Sequence, residues 1–153
     1  MEEQPAFDPM PPRRLEHALI SVVVPCFDEE PVIRETHARL VATLGRVADI
    51  RFEILYVDDG SRDGTLSTLR AMQQADARVR VISFSRNFGQ QIAVTAGLEH
   101  AAGDAVALID ADLQDPPEVI LAMVERWRAG VDVAYGVRTE REGESWFKLW
   151  TAS

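Results

Sequence analysis

Residues 105–117 read Ala105-Val106-Ala107-Leu108-Ile109-Asp110-Ala111-Asp112-Leu113-Gln114-Asp115-Pro116-Pro117. The first five residues are apolar and predict a buried β-strand, which two aspartates at positions i and i+2 follow. In an extended backbone this spacing directs both carboxylates to one face. Such a pair, at the carboxyl end of a strand in an α/β chain, is typical of a site where a divalent cation holds phosphates. Alternatively, the two aspartates only close the strand and cap the next helix.

Apolar runs alternate with helical patterns along the rest of the chain. Strands are predicted over residues 20–25, 52–57, 79–84, 105–109 and 131–135. Helices are predicted between them, over residues 33–47, 66–72, 91–102 and 120–127. Either Ser61 or Asp63 is the predicted cap of the second helix. The alternation predicts an α/β fold with a doubly wound, mostly parallel sheet.

Composition excludes several classes of protein. The chain has 153 residues, and 46% of them are hydrophobic, which is enough for a folded core. A net charge of −9 disfavours a nucleic-acid partner. The single cysteine, Cys26, excludes an intramolecular disulfide and fits a reducing compartment. No apolar run approaches the ~18 residues of a membrane span, and the first residues lack the apolar core of a secretory signal. These features predict a cytoplasmic location.

Polar clusters follow four of the predicted strands. They are the segments 28–30, 58–61 and 85–89 and the pair Asp110 and Asp112. The carboxyl ends of parallel strands meet at one edge of a sheet, where ligands of doubly wound folds bind. We therefore expect the four clusters to form one site.

Residue type suggests a role for each cluster. Asp110 and Asp112 would hold Mg²⁺ or Mn²⁺, with Gln114 adding or orienting a further oxygen ligand. Asp59 has acceptors for a base N–H or a ribose hydroxyl, and Arg86 can offer a fork of donors to a carbonyl or phosphate. The alternatives are an ordinary turn with a helix cap at residues 58–61 and a solvated arginine at position 86.

The ordered set of motifs resembles the family 2 glycosyltransferases of the GT-A fold. The resemblance rests on Val22-Val23-Val24-Pro25-Cys26-Phe27-Asp28-Glu29-Glu30, on Val57-Asp58-Asp59-Gly60-Ser61-Arg62-Asp63-Gly64-Thr65 and on Asp110-Ala111-Asp112. Three further segments, 85–91, 112–118 and 135–138, are similar to the polyprenyl-phosphate branch of dolichol-phosphate mannosyltransferase-like enzymes and bactoprenol glucosyltransferases. The match covers roughly residues 19–150.

The resemblance implies roles for particular side chains. Those matching the nucleoside pocket are Pro25, Phe27, Glu29, Val57 and Asp59, and those matching the metal and diphosphate positions are Asp110, Ala111, Asp112 and Gln114. Arg138 matches an arginine that meets a donor or acceptor phosphate, and Lys148 is a weaker match to a basic residue near the lipid phosphate. Alternatively, Arg138 and Lys148 pair with the glutamates between them.

Two departures from the family pattern affect the prediction. Asp28 stands where the family usually has asparagine, so it adds a negative charge near the nucleotide. Similar proteins also continue beyond the length of this chain, so the sequence is interpreted as C-terminally truncated or as a stand-alone catalytic head. The predicted organisation is a flexible leader over residues 1–17, a GT-A catalytic domain over 18–136 and, over 137–153, the start of an amphipathic, membrane-proximal helix.

The implied reaction is inverting, metal-dependent transfer of a hexose from a nucleoside diphosphate sugar, UDP favoured over GDP, to a polyprenyl phosphate. The resemblance places it at the inner face of the plasma membrane. An inactive nucleotide-sugar-binding module is the main alternative. A phosphatase of the haloacid dehalogenase type is disfavoured because Gln114 occupies the position of an expected threonine or valine. A dinucleotide-binding dehydrogenase is disfavoured because no Gly-x-Gly-x-x-Gly follows the first strand.

Overall fold

The computed structural model describes residues 17–139 and 146–151, with residues 138–139 and 146–151 described through their backbone. It divides after Pro117 into two compact units. The predicted leader lies outside the described residues except for His17. Among the helices that the structure describes, none has both the length and the apolar composition needed to cross a membrane.

The first unit contains a parallel four-stranded sheet. Its strands are β1 (Leu19–Cys26), β2 (Arg51–Asp58), β3 (Val79–Ser83) and β4 (Ala105–Leu108). They lie in the order β3-β2-β1-β4, and every neighbouring pair is parallel. β1 is an inner strand of the sheet, so its residues are buried on both faces. Val22, Val23 and Val24 have no exposed surface. The predicted parallel α/β arrangement is confirmed for these strands.

Three helices connect the strands: α1 (Ile33–Leu44), α2 (Thr65–Ala75) and α3 (Gln90–His100). Between α3 and the sheet lies a core of Val23, Leu55, Val57 and Ala93. His37 of α1 is hydrogen-bonded to Tyr56, which alternates with Val57 along β2. Because alternate strand residues face opposite sides, α1 and α3 cover opposite faces of the sheet.

The buried face of α1 differs in part from the predicted one. Thr36 and Thr43 are buried, whereas the predicted face included His37, Val41 and Val47, which are only partly buried. Thr36 can lie in the core because its hydroxyl is hydrogen-bonded to backbone carbonyls.

The second unit contains α4 (Val119–Arg128) and a hairpin of β5 (Ala134–Thr139) and β6 (Trp146–Thr151). The prediction of a fifth parallel strand over residues 131–135 is wrong. Residue 131 still donates its N–H to Arg126 at the end of α4, and β5 pairs antiparallel with β6. The predicted helix near the chain end is also wrong for residues 146–151, whose aromatic side chains and threonine favour a strand once a partner strand is present.

A buried carboxylate fixes the amino-terminal edge of the sheet. Glu53 Oε1 accepts hydrogen bonds from Ser21 Oγ and, at 2.9 Å, from the Ala102 N–H. Its other oxygen accepts one from Arg80 Nη1 at 3.0 Å. Burial acts to raise the pKa of Glu53, but these bonds outweigh it, so the pKa is lower than usual. The network joins β1, β2 and β3 to the segment that leads into β4.

We expect Glu53→Gln to lower the free energy of unfolding at neutral pH by about 1–3 kcal/mol, because the buried carboxylate of Glu53 is replaced by an amide that accepts its hydrogen bonds more weakly. Glu53 has a lower pKa in the folded chain than in the unfolded one. The contribution of its charge to stability is therefore complete at pH values above the pKa of the unfolded state. It is lost as the pH falls through the pKa of the folded state. Denaturant unfolding from pH 7 to pH 3 should show the two proteins converging in acid.

The control is Glu99→Gln, which makes the same change at an exposed position of α3 and should shift stability by less than about 0.5 kcal/mol. Equal stability of Glu53→Gln and the control at pH 7 would show that the network contributes nothing to stability.

Candidate active site

The carboxyl ends of β1 and β4 are neighbours at the point where the sheet reverses its order. From β1 the chain proceeds by α1 to β2, and it returns from β3 by α3 to β4 on the other side of β1. In doubly wound sheets this reversal opens a crevice beyond the strand ends, where ligands bind. The loop with Glu29 follows β1, and the loop with Asp110 and Asp112 follows β4. The fold therefore brings two of the predicted acidic clusters to the same crevice.

The two aspartates lie in a turn beyond β4. The strand ends at Leu108, so the extended backbone predicted to direct both carboxylates to one face does not reach them. Ala111 between them is buried, with 2% of its surface exposed, and its carbonyl accepts a hydrogen bond from Thr36 Oγ1 at 2.7 Å. With Ala111 anchored inward, Asp110 and Asp112 are the exposed residues on either side of it.

The carboxyl of Glu29 interacts electrostatically with the carboxylates of the two aspartates. Its pKa is raised first by burial, then by the charge of Asp112 and, further down, by those of Asp63, Asp110 and Asp28. The shift shows that the carboxylates after β1 and β4 act on one another. A cation bound among them would relieve this repulsion.

The donor set suits a hard divalent cation. Asp110 and Asp112 supply carboxylate oxygens, and Asp112 Oδ1 also accepts the Gln114 N–H at 3.0 Å, which fixes the turn. The Gln114 residue is exposed on the same turn. Within residues 17–139 and 146–151, no ready-made cluster of three or more histidine, cysteine or acidic ligands is found. Two carboxylates nevertheless fit a cation such as Mg²⁺ or Mn²⁺ that takes its remaining ligands from phosphates and water.

Asp28 is held by backbone donors. It has a left-handed backbone, with φ 52°, which aspartate tolerates better than most residues. Its Oδ1 accepts the N–H groups of Arg62 at 2.7 Å and Asp63 at 3.3 Å, and its own N–H donates to Ser61 Oγ. The carboxylate therefore joins the loop after β1 to the loop after β2, although its charge still contributes to the raised pKa of Glu29.

Further bonds join the same two loops. Glu29 and Glu30 donate their N–H groups to Thr65 Oγ1 and Asp63 Oδ2. The cap position of α2 is occupied by Gly64, so neither predicted cap stands there, but Asp63 Oδ1 accepts the Thr65 N–H at 2.9 Å. Burial acts to raise the pKa of Asp63, but the hydrogen bonds from Thr65 lower it overall.

Asp59 is more enclosed than the sequence predicted. Only 3% of its surface is exposed, and its two carboxylate oxygens accept the N–H groups of Phe88 at 2.7 Å and Gly89 at 3.0 Å. An acceptor for a base or ribose was predicted here. In this structure the carboxylate holds the loop between β3 and α3.

The loops after β2 and β3 touch through their backbones. Gly60 has φ 71°, and a Cβ at this position would collide with the backbone of Arg86 and Asn87. Glycine is therefore required both for the turn and for the close approach. Arg86 is exposed and stacks on the Phe88 ring, 4.4 Å from the ring centroid, with its fork of donors at the surface.

The remaining predicted residues divide into two groups. Pro25 and Val57 are buried in the sheet, so only their backbone reaches the site edge, whereas Phe27 is 39% exposed just beyond β1. Arg138 and Lys148 belong to the second unit, where Arg138 is opposite Phe147 and Lys148 is opposite Val137 in the hairpin. The roles predicted for these five residues remain predictions.

Sequence reasoning missed two residues that contact the aspartate turn. Thr36 anchors Ala111, and Gln90 Nε2 donates to Asp110 Oδ1 at 3.1 Å. A threonine on the apolar face of α1 was the available signal for the first. For the second, the signal was the position of Gln90 within the motif segment 85–91, where α3 begins. Cys26 is buried, and burial raises the pKa of its thiol.

Comparison with known proteins gives relatives of the same kind across most of the chain. The chain is 50% identical over 137 residues to the uncharacterized glycosyltransferase YkcC of Bacillus subtilis, with 90% of this chain and 42% of the relative covered. It is 43% identical over 133 residues to the bactoprenol glucosyl transferase of Shigella phage SfV, with 87% of this chain and 43% of the relative covered. The chain thus spans less than half the length of these curated relatives.

A solved structure supports the same grouping. The mannosyltransferase PcManGT from Pyrobaculum calidifontis, in complex with GDP-Man and Mn²⁺, superposes with a TM-score of 0.65 at 27% identity, over 80% of this chain and 36% of that one. The four parallel strands and their helices are thus those of the GT-A fold.

The family model for Glycosyl transferase family 2 matches residues 21–152, which include both aspartates of the turn and the loops around it. The chain therefore belongs to glycosyl transferase family 2.

Proposed function

We propose that this chain binds a nucleoside diphosphate sugar together with Mg²⁺ or Mn²⁺ and transfers the hexose to a polyprenyl phosphate with inversion. The observation that carries the proposal is the exposed pair Asp110 and Asp112, on a turn that Thr36 anchors beside the end of β1, where the loop with Glu29 begins. Similarity to the bactoprenol glucosyl transferase of Shigella phage SfV supports the lipid acceptor.

The acidic crevice is unfavourable for a diphosphate unless a cation is present. Glu29, Asp110 and Asp112 would repel the phosphates of the donor, and the charges of the two aspartates add to burial in raising the pKa of Glu29. Asp110 and Asp112 would hold the cation, which supplies the positive charge that a departing nucleoside diphosphate needs. The complex of PcManGT with GDP-Man and Mn²⁺ supports this pairing of metal and nucleotide.

The acceptor makes a strong general base unnecessary. A polyprenyl phosphate is already an anion at neutral pH, and one of its oxygens can attack the anomeric carbon directly. The new C–O bond forms as the bond from that carbon to the diphosphate breaks, and the nucleoside diphosphate leaves with the electron pair. Positioning and neutralisation of charge would supply most of the rate. Arg138 and Lys148 are the proposed contacts for the acceptor or donor phosphate.

The base of the nucleotide would bind beside Asp59. Phe27 offers an exposed ring next to the crevice, and Arg86 offers surface donors on the loop that Asp59 holds. We infer that UDP is preferred to GDP, because the motifs after the third and fourth strands resemble the bactoprenol-type enzymes. The proposed site of action is the inner membrane face, where the lipid acceptor would be reached.

Asp112→Asn tests the metal site with little change of shape. Asparagine keeps the Oδ1 acceptor for the Gln114 N–H, so the turn should persist while the negative charge is lost. We expect the affinity for UDP with Mn²⁺, measured by calorimetric titration, to fall at least about tenfold, with little change in EDTA. Parallel titrations with GDP show which of the two nucleotides the chain binds more tightly.

The matched control is Asp49→Asn, an exposed aspartate with φ 62° in the loop before β2, at the opposite edge of the sheet. It should bind the Mn²⁺–nucleotide complex like the unchanged chain. Binding that is equally strong in Asp112→Asn would contradict the proposed metal site.

Transfer itself separates an enzyme from a binding module. We expect the chain, incubated with Mn²⁺, a labelled UDP-hexose and undecaprenyl phosphate in detergent, to yield labelled lipid in amounts that Asp112→Asn reduces at least tenfold. Nucleotide binding without labelled lipid would identify the chain as a nucleotide-sugar-binding module.

A further inference from the structure

Gln90 connects two parts of the site that are far apart in the sequence. It is the first residue of α3, and its Nε2 donates to Asp110 Oδ1 at 3.1 Å. The two preceding residues, Phe88 and Gly89, donate their N–H groups to the carboxylate of Asp59. Three consecutive residues therefore connect the buried carboxylate after β2 with the exposed carboxylate after β4.

Hydrogen bonds and packing hold the first turn of α3, so the backbone of Gln90 has a defined position. Asp59 is buried, and the Gly89 carbonyl accepts the N–H groups of Ile92 and Ala93 in the first turn of the helix. Ala93 itself is fully buried in the core with Val23 and Val57. A side chain that extends from such a helix start has a defined origin.

The negative charges around Asp110 explain why a hydrogen-bond donor in a defined position is useful to its carboxylate. Glu29 lies close enough to interact electrostatically with Asp110, and Asp112, two residues further along the turn, interacts with Glu29 as well. Repulsion would turn the exposed Asp110 carboxylate away from them before a cation arrives. The neutral donor of Gln90 holds Oδ1 of Asp110 without adding charge.

We propose that Gln90 is a positioning residue that orients Asp110 for the cation and the diphosphate, and that the loop of residues 86–90 couples this role to Asp59. The proposal rests on the proposed function, since it names a residue that acts through Asp110 on the same metal site. Gln90 acts through a hydrogen bond to a ligand, so its effect should depend on the metal.

The test compares Gln90→Ala and Gln90→Met, since methionine keeps most of the volume and removes the donor. Calorimetric titrations of UDP are made with Mn²⁺ and with EDTA, and thermal midpoints are recorded without ligand. We expect Mn²⁺ to enhance UDP affinity about tenfold less in both variants than in the unchanged chain. Affinity in EDTA and the thermal midpoint should stay the same.

The control is Gln73→Ala, which removes an exposed glutamine from α2 and should keep the full enhancement by Mn²⁺. An enhancement equal to that of the unchanged chain in both Gln90 variants would overturn the proposal. So would an equal loss of affinity in EDTA and in Mn²⁺, because that pattern indicates a structural role. If the unchanged chain itself shows no enhancement by Mn²⁺, the proposed function fails and this inference fails with it.

Discussion

The parallel pairing of β1 with both β2 and β4 is the constraint on which the site depends. Because β1 lies between them, its carboxyl end is next to the ends of two strands that are distant in the chain. The loops after these strands must then share one edge. The loops that carry Glu29, Asp59 and Asp110 meet at this edge for this reason, although 81 positions separate the first residue from the last in the sequence.

Hydrogen bonds between loops turn this shared edge into a defined site. Thr36 holds the carbonyl of Ala111, Asp28 holds the loop before α2, and Asp59 holds the loop before α3. In each case a side chain on one loop or helix satisfies backbone groups of another, which buried or crowded loops require. The exposed carboxylates at the centre are therefore supported from several sides by residues that need not touch a ligand.

The sequence predicted the parallel sheet well because its signals are local. Short β-branched runs and helical spacing sufficed for β1 to β4 and α1 to α3, and no end of these strands differs from the prediction by more than one residue. Beyond α4 it failed for β5 and β6, where the pairing of two neighbouring segments as a hairpin overrides the pattern of each segment alone. The residue types at the site were also readable, since carboxylates after strands are a compositional signal.

The hydrogen-bond partners of those carboxylates could not be predicted from the sequence in the same way. Asp59 was predicted to be an open acceptor, yet the fold encloses it against the amides of Phe88 and Gly89. Nothing in the local sequence indicates this contact, because it depends on how closely Gly60 lets two loops approach.

The most direct test of the central claim is the location of a bound metal by paramagnetic broadening of amide signals in a ¹⁵N-labelled chain. Mn²⁺ is added with UDP, and Mg²⁺ with UDP serves as the diamagnetic reference. The account predicts that the signals of Ala111, Asp112 and Glu29 broaden first, while that of Asp49 at the opposite edge persists. Broadening centred on any other acidic segment, or spread evenly over the surface, would contradict a metal site at the aspartate turn.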